Sequence, residues 1–518
     1  MRLIIATARP ALPPSVLRPQ GVACRAMKPT RRELVRYTAL AATAASYSRI
    51  LGANDALGIG IIGLGNISRG HIEEYTERPE TRITAVCDIY APRLDAGVTK
   101  TGAKGYHAYK DLLADPKVDA VIVCTPDHWH APMAIDAMRA GKDVDVEKPM
   151  CMTIDEAKQM VRVAEETGRI LAVDSEHMAH GIWEPARAAV NGGVLGKVLW
   201  SQTSRSRNAR QPPWNYPIDA DASPANLDWE AFLGSAPKVP FSKERYFRWR
   251  RFWDYSGGIA TDLYYHHLTP MIHVLGREFP IRAVSAGGNY FTPEDVMQVP
   301  DTFVLSMDFP GKYTVVCGGS LNNAVELPIV IRGNEANIHF EGGSQMRPAS
   351  IVLEPEDPYR STFKEKVKLA GLDGMGEWKE EKGKAATTQF IGMPERKKRQ
   401  LLGLLLAEPE WKARVDEDAK KRPALAQPGA ERDEYFQQIF QERAEVNATK
   451  VSLRIDAPPS KTYRQYFIES ITTRKPTPLD GELGYRSQVA VALGVEAYRG
   501  NKVTFFDPIH EKMVDRPA

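Results

Sequence analysis

The stretch Gly58-Ile-Gly-Ile-Ile-Gly63-Leu-Gly65-Asn66-Ile67-Ser68-Arg69-Gly70-His71 opens on a short apolar run, turns on Gly63 and Gly65, and continues into a helical pattern. Strand, Gly-x-Gly turn and helix in that order make a cradle for a pyrophosphate, whose oxygens sit against backbone N–H groups at the helix N-terminus. A Cβ at Gly63 or Gly65 would obstruct the turn or the ligand. The third position of the fingerprint carries Ser68 in place of glycine or alanine, still small enough for helix and strand to pack. The next β-rich run ends in Ala85-Val86-Cys87-Asp88, and Asp88 falls about 20 residues past Ser68, where an acid accepts the adenosine ribose hydroxyls. Its charge would repel a 2′-phosphate, so NAD is favoured over NADP. Gly63, Gly65, Asn66, Ile67 and Asp88 are the cofactor-binding candidates of this segment.

Outward from this stretch, β-rich runs at Ile83 to Cys87, Ala120 to Cys124, Asp143 to Val146 and Ile170 to Val173 alternate with helical stretches such as Pro132 to Arg139 and Ile154 to Glu166. That alternation predicts a doubly wound parallel sheet, a Rossmann domain over residues 57–176. Residues 177–518 read as a second α/β domain with a large, mostly antiparallel open sheet. Its expected strands are Val198 to Thr203, Ile281 to Ala286, Thr302 to Met307, Tyr313 to Cys317, Ile329 to Ile331 and Lys450 to Ile455. Residues 353–447, with charge runs such as Lys379-Glu380-Glu381-Lys382 and Arg396-Lys397-Lys398-Arg399, read as a surface insertion whose runs are solvated helix faces. Glu482 to Tyr498 is predicted to form an amphipathic helix.

A chain of 518 residues with a formal net charge of only +3 and no dominant polybasic block lacks the footprint of a nucleic-acid or membrane-surface binder. Small neutral or weakly charged partners suit it better. Cys24, Cys87, Cys124, Cys151 and Cys317 are far apart and fit no zinc-site spacing, so isolated, mostly buried thiols are expected. Thr30-Arg31-Arg32-Glu33-Leu34-Val35-Arg36 precedes an alanine-rich apolar stretch from Tyr37 to Ala45, closed by Arg49, in a leader of residues 1–56. The pattern resembles a twin-arginine signal, with Met27 as a start that would bring the arginines near the N-terminus. It predicts engagement of the twin-arginine machinery and a periplasmic or otherwise exported protein. The apolar stretch is too short for stable membrane insertion, since a span takes roughly 20 residues.

Two further strands run into polar turns at the cofactor crevice: Val121-Ile-Val-Cys124-Thr125-Pro126-Asp127-His128-Trp129-His130 and Asp145-Val146-Glu147-Lys148-Pro149. Here the sequence resembles the glucose-fructose oxidoreductase, inositol dehydrogenase and rhizopine-catabolism (Gfo/Idh/MocA) family, which carries a Thr-Pro-x-x-x-His turn and a Glu-Lys-Pro motif at these places. A third likeness is Trp253-Asp254-Tyr255-Ser256-Gly257-Gly258-Ile259-Ala260-Thr261-Asp262-Leu263-Tyr264-Tyr265-His266-His267, similar to the family's Gly-Gly followed by Asp-x-x-x-His. A fourth, Glu482-Leu-Gly484-Tyr485-Arg486 through Phe506-Asp507-Pro508, looks like the ending of an often exported bacterial branch. Tyr264, Thr269 and Tyr485 depart from the family pattern and bear on the substrate more than on the chemistry.

The resemblance implies hydride transfer between a sugar-like substrate and the nicotinamide, and a homo-oligomer. Thr125, Pro126, His130, Glu147 and Lys148 join the cofactor-binding candidates, and Lys148, Asp262 and His266 are the catalytic ones. Residues i and i+4 share a helix face, so Asp262 and His266 can both meet Lys148 across the cleft. His266 is the implied general base, Asp262 orients it or bonds a neighbouring hydroxyl, and Lys148 steadies the reacting oxygen and reaches the nicotinamide ribose. His128, His130, His177, His180, His266 and His267 lack a convincing set of carboxylate or thiolate companions, so no metal is assigned. Two other functions compete: a NAD-dependent glycoside hydrolase using transient ring oxidation and elimination, and a non-catalytic sugar-binding homologue. A cofactor that leaves the cytoplasm inside the protein would be tightly bound.

Overall fold

The computed structural model describes residues 56–516 apart from 345, 384, 386 and 387. The twin-arginine stretch, Met27 and Cys24 lie outside the described residues. Six strands, β1 (Leu57–Ile62), β2 (Thr81–Cys87), β3 (Lys104–Tyr106), β4 (Ala120–Val123), β5 (Asp143–Glu147) and β6 (Leu171–Asp174), form one sheet in the order β3-β2-β1-β4-β5-β6. All its pairings are parallel. β1, β4, β5 and β6 are buried along their whole length, as strands covered on both faces must be. Helices α1 (Ser68–Thr76), α2 (Asp127–Arg139) and α3 (Ile154–Thr167) follow β1, β4 and β5. The start of α3 is set by a capping box between Thr153 and Glu156, and Ile154, Ala157, Met160 and Val163 bury one face at three-residue spacing. The chain order reverses between β1 and β4, and the crevice for a dinucleotide opens at that switch point.

The second sheet has eleven strands: β7 (Val198–Ser204), β8 (Arg282–Gly288), β9 (Thr302–Phe309), β10 (Tyr313–Ser320), β11 (Val330–Gly333), β12 (Ala336–Glu341), β13 (Ser350–Pro355), β14 (Glu377–Lys382), β15 (Thr449–Asp456), β16 (Thr504–Asp507) and β17 (Lys512–Val514). Their order is β14-β15-β13-β12-β11-β7-β10-β9-β8-β16-β17. Only β7 with β10 is parallel. Phe303, Leu305, Met307 and Phe309 on β9 show the two-residue alternation of a strand with one face on the core. The fold is therefore α/β, a parallel Rossmann sheet joined to a large, mostly antiparallel one.

Three expectations are corrected by the structure. Lys379-Glu380-Glu381-Lys382 is not a helix face but part of β14, an edge strand whose charged residues discourage pairing with other chains. Within Arg396-Lys397-Lys398-Arg399, Lys398 is buried and pairs with Asp433 in a subcore built on Phe390, Leu402, Trp411, Phe436 and Phe440. The helix predicted to be amphipathic, Glu482 to Tyr498, is buried nearly all round. With α4 (Tyr265–Val274), α5 (Tyr463–Thr473) and α6 (Gly481–Gly500) numbered in chain order, α6 runs between the Rossmann domain and the second sheet. Close approach requires its glycines: a Cβ at Gly484 would lie 2.6 Å from Val173, and one at Gly494 2.7 Å from Leu305. Just before α6 the chain covers the outer edge of β6, with a bridge from Ala172 to Asp480 and a bond from Val173 N–H to the Leu479 carbonyl. Cys87, Cys124, Cys151 and Cys317 are free and buried. No helix among the described residues is long and apolar enough to cross a membrane.

Candidate functional site

A cavity of about 1030 Å³ opens at the switch point, and Gly63, Gly65, Asn66, Ile67, Asp88, Thr125, Pro126, His130, Glu147 and Lys148 all line it. The two glycines serve different ends. Gly63 adopts φ +90°, and a Cβ there would stand 2.9 Å from the Cys124 carbonyl, so the turn itself demands it. At Gly65 the nearest obstacle to a Cβ is Arg93 at 3.7 Å. The protein has room for a side chain at Gly65, which would intrude only on whatever occupies the cavity.

No side chain caps the first turn of α1, which leaves its N–H groups to an anion. The Ser68 hydroxyl donates to the Gly65 carbonyl at 2.7 Å and so fixes the turn as well as allowing close packing. Asp88 is buried, and its two oxygens accept from Leu64 N–H at 2.7 Å and Tyr90 N–H at 2.8 Å. The Tyr246 hydroxyl takes a third acceptor position on the carboxylate, which leaves one for a ribose hydroxyl. Burial raises the Asp88 pKa, opposed by Arg93 and those two amides. These features fit a NAD-binding Rossmann domain in which Gly65, the α1 N-terminus and Asp88 receive pyrophosphate and ribose.

His130 has a more local function than a cofactor contact. One ring nitrogen lies 2.7 Å from the Pro149 carbonyl and the other 2.8 Å from the Thr125 carbonyl, so it clips the Thr-Pro turn to the Glu-Lys-Pro turn. Burial lowers its pKa to about 4, and the neutral ring donates to one carbonyl at a time. His128 bonds the Phe232 carbonyl at 2.8 Å. Glu147 accepts from His71 at 2.9 Å, and burial pushes its carboxyl up to about 7. His71, Glu147 and Asp174 bring potential ligand atoms within 4.8 Å of one another. The Arg464 guanidinium lies 3.1 Å from Asp174 and 3.3 Å from His71 and already supplies the positive charge there.

On the cavity wall, Lys148 Nζ donates to the Asp262 carbonyl at 2.8 Å and to Asp262 Oδ1 at 3.1 Å. The peptide Lys148–Pro149 is cis. Asp262 sits in a π-helical turn, Ala260–Tyr264, that leads into α4, an irregularity frequent at functional sites. Burial alone would raise the Asp262 pKa, but Lys148, Arg250 and Arg207 outweigh it and hold the carboxyl well below its ordinary value.

His266 stands one turn on, half-buried, and the structure gives it a different orienting partner from the one expected. Ser175 Oγ lies 3.2 Å from its Nδ1, and the His177 ring packs edge-on at 4.8 Å. Asp262 is taken up instead by Lys148, Arg250 and Trp214. Burial, then Lys148 and His177, keep the His266 pKa well below its ordinary value, so the resting ring is neutral.

Sequence reasoning missed three contributors besides Ser175. Trp214 donates to Asp262 Oδ2 at 2.9 Å from a left-handed backbone, φ 53°, strain of the kind found at ligand clamps. Arg250 stacks on Trp249 at 4.2 Å and donates to Asp262 at 3.0 Å. Asp127 lies buried in the quoted Thr-Pro turn beside Thr261, its carboxyl pushed by burial up to about 7. An acid directly after the Thr-Pro pair at the end of an apolar strand was the available signal.

Comparison with known proteins agrees with this geometry. Residues 57–175 match the NAD-binding Rossmann fold of the Gfo/Idh/MocA oxidoreductase family, and residues 184–287 match a C-terminal alpha/beta domain of the oxidoreductase family. A glycosyl hydrolase family 109 protein of Shewanella pealeana is 37% identical over 161 residues, 29% of this chain and 35% of that protein. The chain thus aligns with only about a third of the length of the curated relatives it matches. Among solved structures, the WlbA dehydrogenase of Bordetella pertussis, in complex with NADH and UDP-GlcNAcA, superposes with a TM-score of 0.54. It is 16% identical, over 88% of this chain and 99% of that one. The aldose-aldose oxidoreductase of Caulobacter crescentus gives 0.52 at 17% identity, over 87% of this chain and 100% of that one. At such identities the superpositions speak for the fold alone. Residues 57–175 and 184–287 thus match, in order, the Rossmann and C-terminal alpha/beta domains of the Gfo/Idh/MocA oxidoreductase family, to which the chain is similar in both parts.

Proposed function

We propose that the protein is a NAD-dependent oxidoreductase acting on a hydroxyl of a sugar, cyclitol or sugar derivative. The observation that carries this reading is the meeting of Lys148, on the wall of the cofactor cavity, with Asp262 from the second domain beside a neutral His266. NAD, when bound, supplies a hydride acceptor. The side chains supply the rest. Ser175 engages His266 Nδ1, which leaves Nε2 to take the hydroxyl proton, and the Lys148 ammonium stabilises negative charge on the reacting oxygen. Asp262, held by Trp214 and Arg250, fixes the position of that ammonium.

A second reading draws support from the family 109 glycosyl hydrolases among the relatives. In it, oxidation of a ring hydroxyl acidifies the neighbouring C–H, the aglycone leaves by elimination, water adds to the resulting unsaturated ketone, and the oxidation is then reversed. Incubating the purified protein with a panel of sugars and glycosides, while following both cofactor absorbance and products, separates the two. Net NADH formation on a free sugar favours the first, and aglycone release without net redox change favours the second. Binding without either refutes both.

The twin-arginine pattern at Arg31 and Arg32 supports export of the folded protein with its dinucleotide inside. Protein isolated from the periplasmic fraction without added cofactor should then release close to one dinucleotide per chain on denaturation. Purely cytoplasmic or empty protein would overturn this.

A further inference from the structure

Three cations converge on one carboxylate beside the reacting lysine. Lys148 Nζ and Arg250 Nε lie 3.1 and 3.0 Å from Asp262 Oδ1, and Arg207 Nη2 lies 3.6 Å from Oδ2. With Trp214 also donating, the carboxylate is saturated, yet it neutralises only one of the three charges. Asp127 and Glu147, the other acids in reach of these cations, are buried and offset the excess only in part, because each carboxyl is pushed by burial up to about 7.

The backbone imposes this placement. Beyond β7 the ladder continues as Arg205 N–H bonds the Gly318 carbonyl and Arg207 N–H bonds the Ser320 carbonyl. At two-residue spacing, Arg205 and Arg207 share the side of Thr203, whose hydroxyl lies 3.3 Å from His267 on α4. Arg205 pairs with Glu326 at 3.3 Å, whereas Arg207 makes no side-chain hydrogen bond among the described residues. Arg250 is clamped by the rings of Trp249 and Tyr216 at 4.2 and 5.7 Å, and only its Nε is used on Asp262. Its two Nη groups have no protein acceptor among the described residues, and Arg250 lines the cavity. A stacked guanidinium with both Nη groups open is a preorganised fork for an oxyanion.

We infer that the substrate carries an anionic substituent, a carboxylate, sulfate or phosphate on the sugar, received by Arg250 and Arg207. This rests on reading Lys148, Asp262 and His266 as the reacting site. A neutral polyol can bond the same donors but leaves their charge uncompensated in a partly desolvated cleft.

The test measures binding to the NAD-loaded full chain, by calorimetry, of matched pairs: methyl glucoside against methyl glucuronide, galactose against galactose 6-sulfate, and glucose against glucose 6-phosphate. At least one anionic member should bind roughly tenfold to a hundredfold tighter than its neutral counterpart, the worth of one charged hydrogen-bonded contact. The member that does so identifies the anion. In Arg250→Gln and Arg207→Gln that ratio should fall toward one, while Arg162→Gln on the exposed face of α3 should keep it. Equal binding of every pair, or a ratio untouched in both arginine variants, overturns the inference even if the protein oxidises sugars. An anion preference without redox or bond cleavage on any sugar leaves the inference standing and overturns the proposed function.

Discussion

Replacing Lys148 with methionine keeps the length of the side chain and removes its charge. The ammonium makes two bonds, to the carbonyl and the carboxylate of Asp262. After its loss the carboxylate still has Arg250 at 3.0 Å and Trp214 at 2.9 Å, so no buried charge is orphaned. One charge-assisted hydrogen bond is worth about 1.5–3 kcal/mol, and the ammonium no longer needs desolvating, so a net destabilisation of roughly 1 kcal/mol is expected. Turnover behaves differently. Without the cation, negative charge on the reacting oxygen is unopposed and His266 must work alone, which predicts a loss of roughly 10² to 10⁴-fold, or about 3 to 5 kcal/mol in the barrier. Denaturant unfolding, NAD binding by calorimetry and turnover of the best sugar from the panel read the three quantities separately. Turnover within about threefold of the parent would refute the assignment of Lys148, and so would a loss explained by weaker NAD binding alone.

Gly65→Ala should leave unfolding free energy within about 0.5 kcal/mol of the parent, since a Cβ meets nothing closer than 3.7 Å, but weaken NAD at least tenfold; unchanged affinity would remove the pyrophosphate from that place. Asp88→Ser should weaken NAD and relax discrimination against NADP in a direct binding comparison, and a parent protein that already prefers NADP would contradict this. The His130 pKa is about 4 in the folded chain against the ordinary 6.5. The unfolded state therefore binds the extra proton first, and the contribution of His130 is whole above pH 6.5 and lost as pH falls towards 4. In His130→Gln the stability gap to the parent should narrow by about 2 kcal/mol between pH 7.5 and 4.5; a constant or widening gap in urea unfolding would refute the sign.

Much of this molecule was legible in its sequence because the strands that define it are apolar runs bounded by turns. β1, β2, β4, β5 and β6 announce themselves that way, as do β7 to β11 and β15. Of the strands the sequence reading passes over, β3, β12, β13, β14, β16 and β17, two have a clear physical reason for silence: β3 is three residues long with no apolar pattern, and β14 is charged because it is an edge. The same holds at the site. Motif spacing located the cavity lining, but the partners of those residues come from remote segments. Ser175 behind His266, Trp214 on Asp262 and Arg464 beside Asp174 are set by tertiary packing, which no local pattern encodes. The orienting partner of His266 is hidden for the same reason: i,i+4 spacing predicts proximity to Asp262, while the stronger cations claim that carboxylate.

The cover over β6, supplied by Leu479 and Asp480, has a consequence for biosynthesis. At about 5–20 residues per second, the ribosome needs roughly 15 seconds to a minute to travel from the end of β6 to that covering segment. Throughout that interval the nascent Rossmann sheet carries a fully buried type of strand with its outer edge bare, a template for pairing with neighbouring chains on the same polysome. The polypeptide is thus open to off-pathway pairing at one identifiable edge and for one identifiable stretch of translation.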